Sequence, residues 1–183
     1  PHTTGGLNNS FSYKNFSLSF LIDHRQGGSL VSMSKAIIYG DGFAKETLIG
    51  REGGLVFGQD IFKNEKAVLA DGSKNNIPVA AETFWNTIGG RNAPVGEAFV
   101  SSATNTRLRE LSLGYSLPKS VWGKLPISNI RLALVGRNLL FLYRADNTID
   151  PDFLQGTGPD SEGFQSFAPP TPRSFGLNLK VDF

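Results

Sequence analysis

Few side chains in this 183-residue sequence are placed to make or break covalent bonds. There is no cysteine, and the two histidines, His2 and His24, lack the company of a zinc site or a catalytic relay. No nucleophile–base pair and no paired carboxylates stand out, so an enzyme is not expected. Asp146, Asp150, Asp152 and Asp160 invite a calcium reading, but they lack the spacing of a known calcium loop and read as solvated side chains. No metal and no cofactor are expected. Phe84-Trp85-Asn86, with Arg91-Asn92 close behind, offers the best binding chemistry. A sugar needs flat aromatic faces with planar polar groups at their edges, and Phe84, Trp85, Asn86 and Arg91 could supply both. The competing reading makes Trp85 the core of a small folded loop.

The elements that carry these residues must suit a sequence with only 39% hydrophobic and 19% charged residues, rich in Gly (21) and Phe (14). No apolar run approaches the ~20 residues that a membrane helix needs. The most apolar stretch, residues 132–143, is broken by Arg137 and Asn138. Helical membrane spans are excluded, but strands that alternate faces are not. A net charge of +2 without a basic stripe argues against nucleic-acid binding. Residues 1–6 (PHTTGG) have neither the charged nor the apolar region of a signal peptide, which favours an internal start with targeting information upstream.

Alternation is the dominant pattern. Phe16, Leu18, Phe20 and Ile22 share one face against Ser17, Ser19 and Asp23, and Phe11 and Tyr13 alternate with serines before a turn at Lys14-Asn15. Leu111, Leu113, Tyr115 and Leu117 oppose Glu110, Ser112, Gly114 and Ser116 until Pro118 ends the run. Ile130, Leu132, Leu134, Leu140 and Leu142 share parity, interrupted by Arg137 and Asn138, which suggests an irregularity or a position near a rim. Phe175, Leu177, Leu179, Val181 and Phe183 alternate with Ser174, Gly176, Asn178, Lys180 and Asp182. The expected fold is all-β, with antiparallel strands near residues 7–13, 16–25, 104–117, 129–143 and 174–183. Two long loops, 27–103 and 144–173, separate them. Within the first, residues 29–39 carry a helical spacing ended by Gly40, and residues 78–88 hold a second short helix. Trp122 and Tyr143 lie at strand ends, where a membrane protein places interfacial aromatics.

A soluble β-sandwich also alternates. Strand lengths of about 10 residues fit a membrane strand better than the 5–6 of globular sheets, and loops that alternate short and long fit a barrel with one elaborated rim. Phe16, Leu18, Phe20, Leu111, Leu113, Tyr115, Leu177, Leu179 and Val181 are then the lipid-facing residues.

The final strand resembles the C-terminal signal of bacterial outer-membrane proteins, with Ser174, Gly176, Leu179, Val181 and Phe183 at the matching positions. Residues 106–118 (TRLRELSLGYSLP), 130–140 (IRLALVGRNLL), 169–176 (PPTPRSFG) and 13–16 (YKNF) resemble segments of SusC/RagA-like TonB-dependent transporters. That resemblance implies the C-terminal part of a transmembrane barrel of about 22 strands, without its plug domain. It implies outer-membrane localisation in a Bacteroidetes-type cell and TonB-dependent nutrient uptake of glycan oligosaccharides or peptides. It also implies as partners the remainder of the barrel and plug, a SusD-like lipoprotein, TonB through the missing N-terminal part, the barrel-assembly machinery and membrane lipid. The alternative is a soluble β-sandwich binding or adhesion module of the cell envelope.

Overall fold

The computed structural model describes residues 1–62, 67–92, 94–123, 125–152 and 163–183. The chain forms two compact units, one of residues 1–28, 103–152 and 170–183, the other of residues 29–102 and 153–169.

The first unit is an antiparallel five-stranded sheet. Its strands are β1 (Thr3–Tyr13), β2 (Phe16–Gln26), β7 (Asn105–Ser116), β8 (Asn129–Arg144) and β10 (Ser174–Asp182), paired in that order. A two-residue turn joins β1 to β2, with Lys14 at φ +53°. The connection from β7 to β8 lies at the same end of the sheet, while both long excursions leave from the other end. Trp122, expected as an interfacial aromatic, is instead buried inside the β7–β8 connection, where its Nε1 donates to Ile127 O at 3.0 Å. A short connection brings that ring against its own backbone before it can reach an outer surface.

Register decides what each face is made of. Tyr13 pairs with Phe16 and Phe16 with Tyr115, which pairs with Leu132 and through it Leu179. The next row runs Phe11, Leu18, Leu113, Leu134, Leu177. The row after it runs Phe20, Leu111, Gly136, Phe175. One face is thus apolar along these rows except for Asn9, which stands opposite Phe20, and among the described residues nothing covers it: Leu113 is 50% exposed, Leu134 62%, Leu177 69% and Phe175 79%. The other face carries Ser17, Ser19, Glu110, Ser112, Arg131, Arg137, Asn178 and Lys180. Period-2 side-chain alternation converts the sequence pattern into this segregation directly.

Arg137 and Asn138 mark a true irregularity. Leu21 opposes Glu110 and Ile22 opposes Leu108, while Glu110 opposes Arg137 and Leu108 opposes Leu140. Relative to β2, β7 therefore carries one extra residue and β8 two, an extended β-bulge. Asn138 adopts φ +52° there, a conformation that Asn tolerates better than most residues.

The second unit contains β3 (Ser29–Ser32), α1 (Met33–Gly40), β4 (Leu55–Val56), β5 (Pro78–Val79), α2 (Ala81–Ile88), β6 (Val100–Ser102) and β9 (Phe164–Gln165). The helix expected over residues 29–39 begins only at Met33. Before it, Ser29, Leu30 and Val31 pair with β6, and Ser32 caps the helix by accepting from Lys35 N–H at 3.2 Å. Phe84, Trp85, Ile88, Phe99 and Ala36 form a sealed core, with Phe84 wholly buried. The ends of α1 and α2 touch through glycines: a Cβ on Gly40 would lie 2.2 Å from Gly90 N, and one on Gly89 2.4 Å from Ala36 O. What the sequence suggests as a long loop is a folded body with its own interior.

Candidate functional site

Side chains from three strands and one connection converge on the polar face at the end of the sheet from which the long excursions leave. The bulge lets β7 place Arg109 beside Glu110, while Arg107, opposite Asp23, projects from the same face. Arg107 is 3% exposed and is held between two carboxylates, donating from Nη2 to Asp150 Oδ2 and from Nη1 to Asp152 Oδ2, each at 2.8 Å. Its guanidinium carbon lies 3.8 Å from the Phe141 ring centroid. Arg109 donates through Nε and Nη2 to Asp23 Oδ2 at 3.0 and 2.8 Å, and its Nη2 also reaches Asp152 at 2.8 Å. The result is a chain Asp23–Arg109–Asp152–Arg107–Asp150.

Asp150 ties this chain to the returning backbone, accepting from Thr171 N–H at 3.0 Å and Asp152 N–H at 3.1 Å. Burial works against its charge, yet the Arg107 guanidinium and those backbone donors together hold its carboxyl below the ordinary carboxylate range. Asp150 and Thr171, in a stretch that sequence marks only as loop, are thus drawn onto the polar face by the Arg107 charge. Contrary to the sequence expectation of solvated side chains, Asp150 and Asp152 are largely buried and face arginines rather than a metal ion. Asp146 also has a local role, its Oδ1 accepting from the Thr148 hydroxyl and backbone N–H. Asp160 lies outside the described residues. Among the described residues no group of three or more His, Cys, Asp or Glu side chains could hold a metal ion.

A cavity of about 350 Å³ adjoins the network, lined by Arg107, Arg144, Arg173, Asp150, Phe141 and Ile149 among others. Arg144 directs its three nitrogens to the Asn147 side chain and the Asn147 and Ile149 carbonyls, and its guanidinium lies 4.7 Å from the Phe141 centroid. Among the described residues, buried Arg107 Nε has no hydrogen-bond partner.

The residues singled out for sugar contact lie in the second unit. Phe84 (0% exposed) and Trp85 (2%) form its core, Phe84 stacking on Phe57 at 4.7 Å and Trp85 donating from Nε1 to Ile49 O at 3.4 Å. Their faces meet other rings, so neither offers an open platform. Asn86 and Arg91 are exposed on the rim of a wide depression of about 910 Å³, which the almost wholly buried Trp85 also lines. Arg91 is paired there with Asp41 at 2.5 Å. Sequence reasoning brings these four residues together but misses the arginine–aspartate network. Its only sequence signal is the pair of period-2 spacings, Arg107/Arg109 and Asp150/Asp152.

No protein-family model matches the chain. Among curated proteins it is 26% identical over 187 aligned residues to TonB-dependent receptor P26 of Formosa agariphila, covering 100% of the chain. It is 27% identical over 140 residues to TonB-dependent receptor P3 of the same organism, covering 76% of the chain. The chain is similar to a piece of a TonB-dependent receptor. It spans only 17% of the first relative's length and 12% of the second's. Among solved structures, the RagAB peptide importer in its closed-closed state superposes over 98% of the chain with a TM-score of 0.61 at 19% identity. A second RagAB peptide transporter structure gives 0.58 at 18%. At that identity the likeness is one of fold: antiparallel strands with a few short helices. The relatives carry the names of receptors and transporters rather than of enzymes. No helix among the described residues is long and apolar enough to cross a membrane, which has no bearing on crossing by strands.

Proposed function

We propose that the sheet is a section of the wall of an outer-membrane β-barrel, about 22 strands when closed, in a TonB-dependent importer of peptides or oligosaccharides. The observation that carries this reading is the two-faced sheet. An uncovered apolar face running through Leu18, Leu113, Leu134 and Leu177 is what hydrocarbon requires, and a polar opposite face suits a water-filled lumen. The edges of β1 and β10 have no partner strand among the described residues and would pair with the remainder of the barrel. Ser174, Gly176, Leu179, Val181 and Phe183 would serve the barrel-assembly machinery. A plug, TonB and a SusD-like surface lipoprotein complete the machine. The fold shared with RagAB, a peptide importer, favours a peptide cargo. In the second unit, Asn86 and Arg91 on the rim of the depression would touch cargo, while Phe84 and Trp85 stabilise the body beneath. A β-sandwich would have to cover Leu134, Leu177 and Phe175, which stay exposed.

The test uses the intact protein in lipid vesicles, spin-labelled singly at Leu113, Leu134 or Leu177, and at Ser112, Ala133 or Asn178. The first set should be relaxed by oxygen dissolved in lipid and the second by a water-soluble nickel complex. Equal access of the nickel complex to both sets would sink the barrel reading.

A further inference from the structure

We infer that the cavity beside the arginine–aspartate network is a binding site for a carboxylate carried by the cargo. The inference rests on the importer reading and specifies the chemistry of what is imported.

Charge is the first ground. Three guanidiniums, those of Arg107, Arg144 and Arg173, line the cavity against a single carboxylate, Asp150. Arg107 is neutralised by Asp150 and Asp152. Among the described residues Arg144 bonds only the Asn147 side chain and backbone carbonyls, so its charge has no carboxylate partner there. Arg173 is exposed and forms no ion pair or hydrogen bond among the described residues. A positive excess therefore faces the cavity.

The free donors are the second ground. A guanidinium carries five N–H donors, so Arg144, with one bond at each nitrogen, keeps a spare N–H on each terminal nitrogen. The whole Arg173 fork is unengaged among the described residues. That fork matches a single carboxylate, whose two oxygens accept from guanidinium in a planar bidentate arrangement, and Arg144 can add a further donor. The third ground is the wall: Phe141 and Ile149 give an apolar flank for the carbon skeleton that bears the acid. The cavity is also on the polar face of the sheet, at the end from which the long connections leave, where cargo would enter a lumen.

A carboxylate could belong to a peptide or to an acidic sugar, and the probes separate the two. Binding to the detergent-purified full-length protein is measured for a short peptide of neutral side chains with a free or amidated C-terminus, and for oligogalacturonate and its methyl ester. One acid probe should bind, its neutralised partner should bind about tenfold or more weakly, and Arg173→Gln should remove that gap. Arg173→Gln touches no bond of the fold, so thermal stability should stay unchanged, and Arg137→Gln on the same face should keep the gap. The acid that binds names the source. Equal binding of acid and neutral probes, a gap that survives Arg173→Gln, or no binding by either acid would each overturn the inference. A failed lipid-access result with the spin labels would instead strike the importer reading, so the two failures are separable.

Discussion

Replacing Arg107 by Met tests how the polar face is held together. The stem of Met keeps much of the packing against Phe141, while the charge between Asp150 and Asp152 disappears. Asp150 is 7% exposed and Asp152 17%, so both carboxylates would be left in poor solvent without their main counter-charge. Breaking one partner of a buried pair costs about 3–5 kcal/mol. Loss of the guanidinium from the Phe141 face adds about 0.5–2 kcal/mol. The equivalent change at Arg137, whose pair with Glu110 is 65% and 41% exposed, should cost about 0–1 kcal/mol. Urea unfolding of the intact protein from lipid vesicles would measure both. Arg107→Met should lower the folding constant by about two and a half to five powers of ten, and Arg137→Met by no more than about fivefold. Adding Asp150→Asn and Asp152→Asn to Arg107→Met should recover much of the loss, because the stranded charges go. The reasoning fails if Arg107→Met costs no more than Arg137→Met, or if the triple variant is no better than the single one.

Leu113→Arg should destabilise the vesicle-inserted protein by about 2–4 kcal/mol, whereas Ser112→Arg on the polar face should cost under about 1 kcal/mol; the same urea titration reads both. Lowering the pH should release the residues around Asp150. Arg107 and two backbone donors hold its carboxyl below the ordinary aspartate range in the folded state, so its contribution is present above that range and fades as the pH falls below it. Thermal scans on the acid side should show a steeper loss in the parent than in Asp150→Asn. Gly40→Ala should loosen the second unit by about 1–3 kcal/mol, because the new methyl meets Gly90 backbone at 2.2 Å. Faster amide exchange in α1 and α2, with the sheet unchanged, would check it.

The sheet is the most legible part of this sequence, because a two-faced strand must write a period-2 code of apolar and polar residues locally. Phe175 to Val181 state their face without reference to any other residue. β1 begins at Thr3 rather than near residue 7, since Thr3, Thr4, Gly5 and Gly6 pair through backbone with β2 and carry no apolar signal. The interruption at Arg137 and Asn138 correctly signals irregularity, but the count of extra residues depends on partners far away in sequence. The second unit is harder to read. Val31 and Leu30 fit a helix or a strand by spacing, and only pairing with β6 decides between them. Phe84 and Trp85 carry the composition of a sugar platform and of a core alike, so burial settles which they are. The network around Arg107 joins residues more than forty positions apart, which no local pattern encodes.

The extra residue in β7 has a consequence for how such a wall can change. On a strictly alternating strand, adjacent positions answer to different solvents, and a new charge inside is bounded by a hydrocarbon neighbour on each side. At Arg109 and Glu110 two consecutive residues lie on the polar face, and the apolar register resumes undisturbed at Leu108 opposite Ile22. That position is exempt from the alternation. In the proposed barrel, a lineage could retune the charge on the inner side there, one residue at a time, without rewriting the outer side.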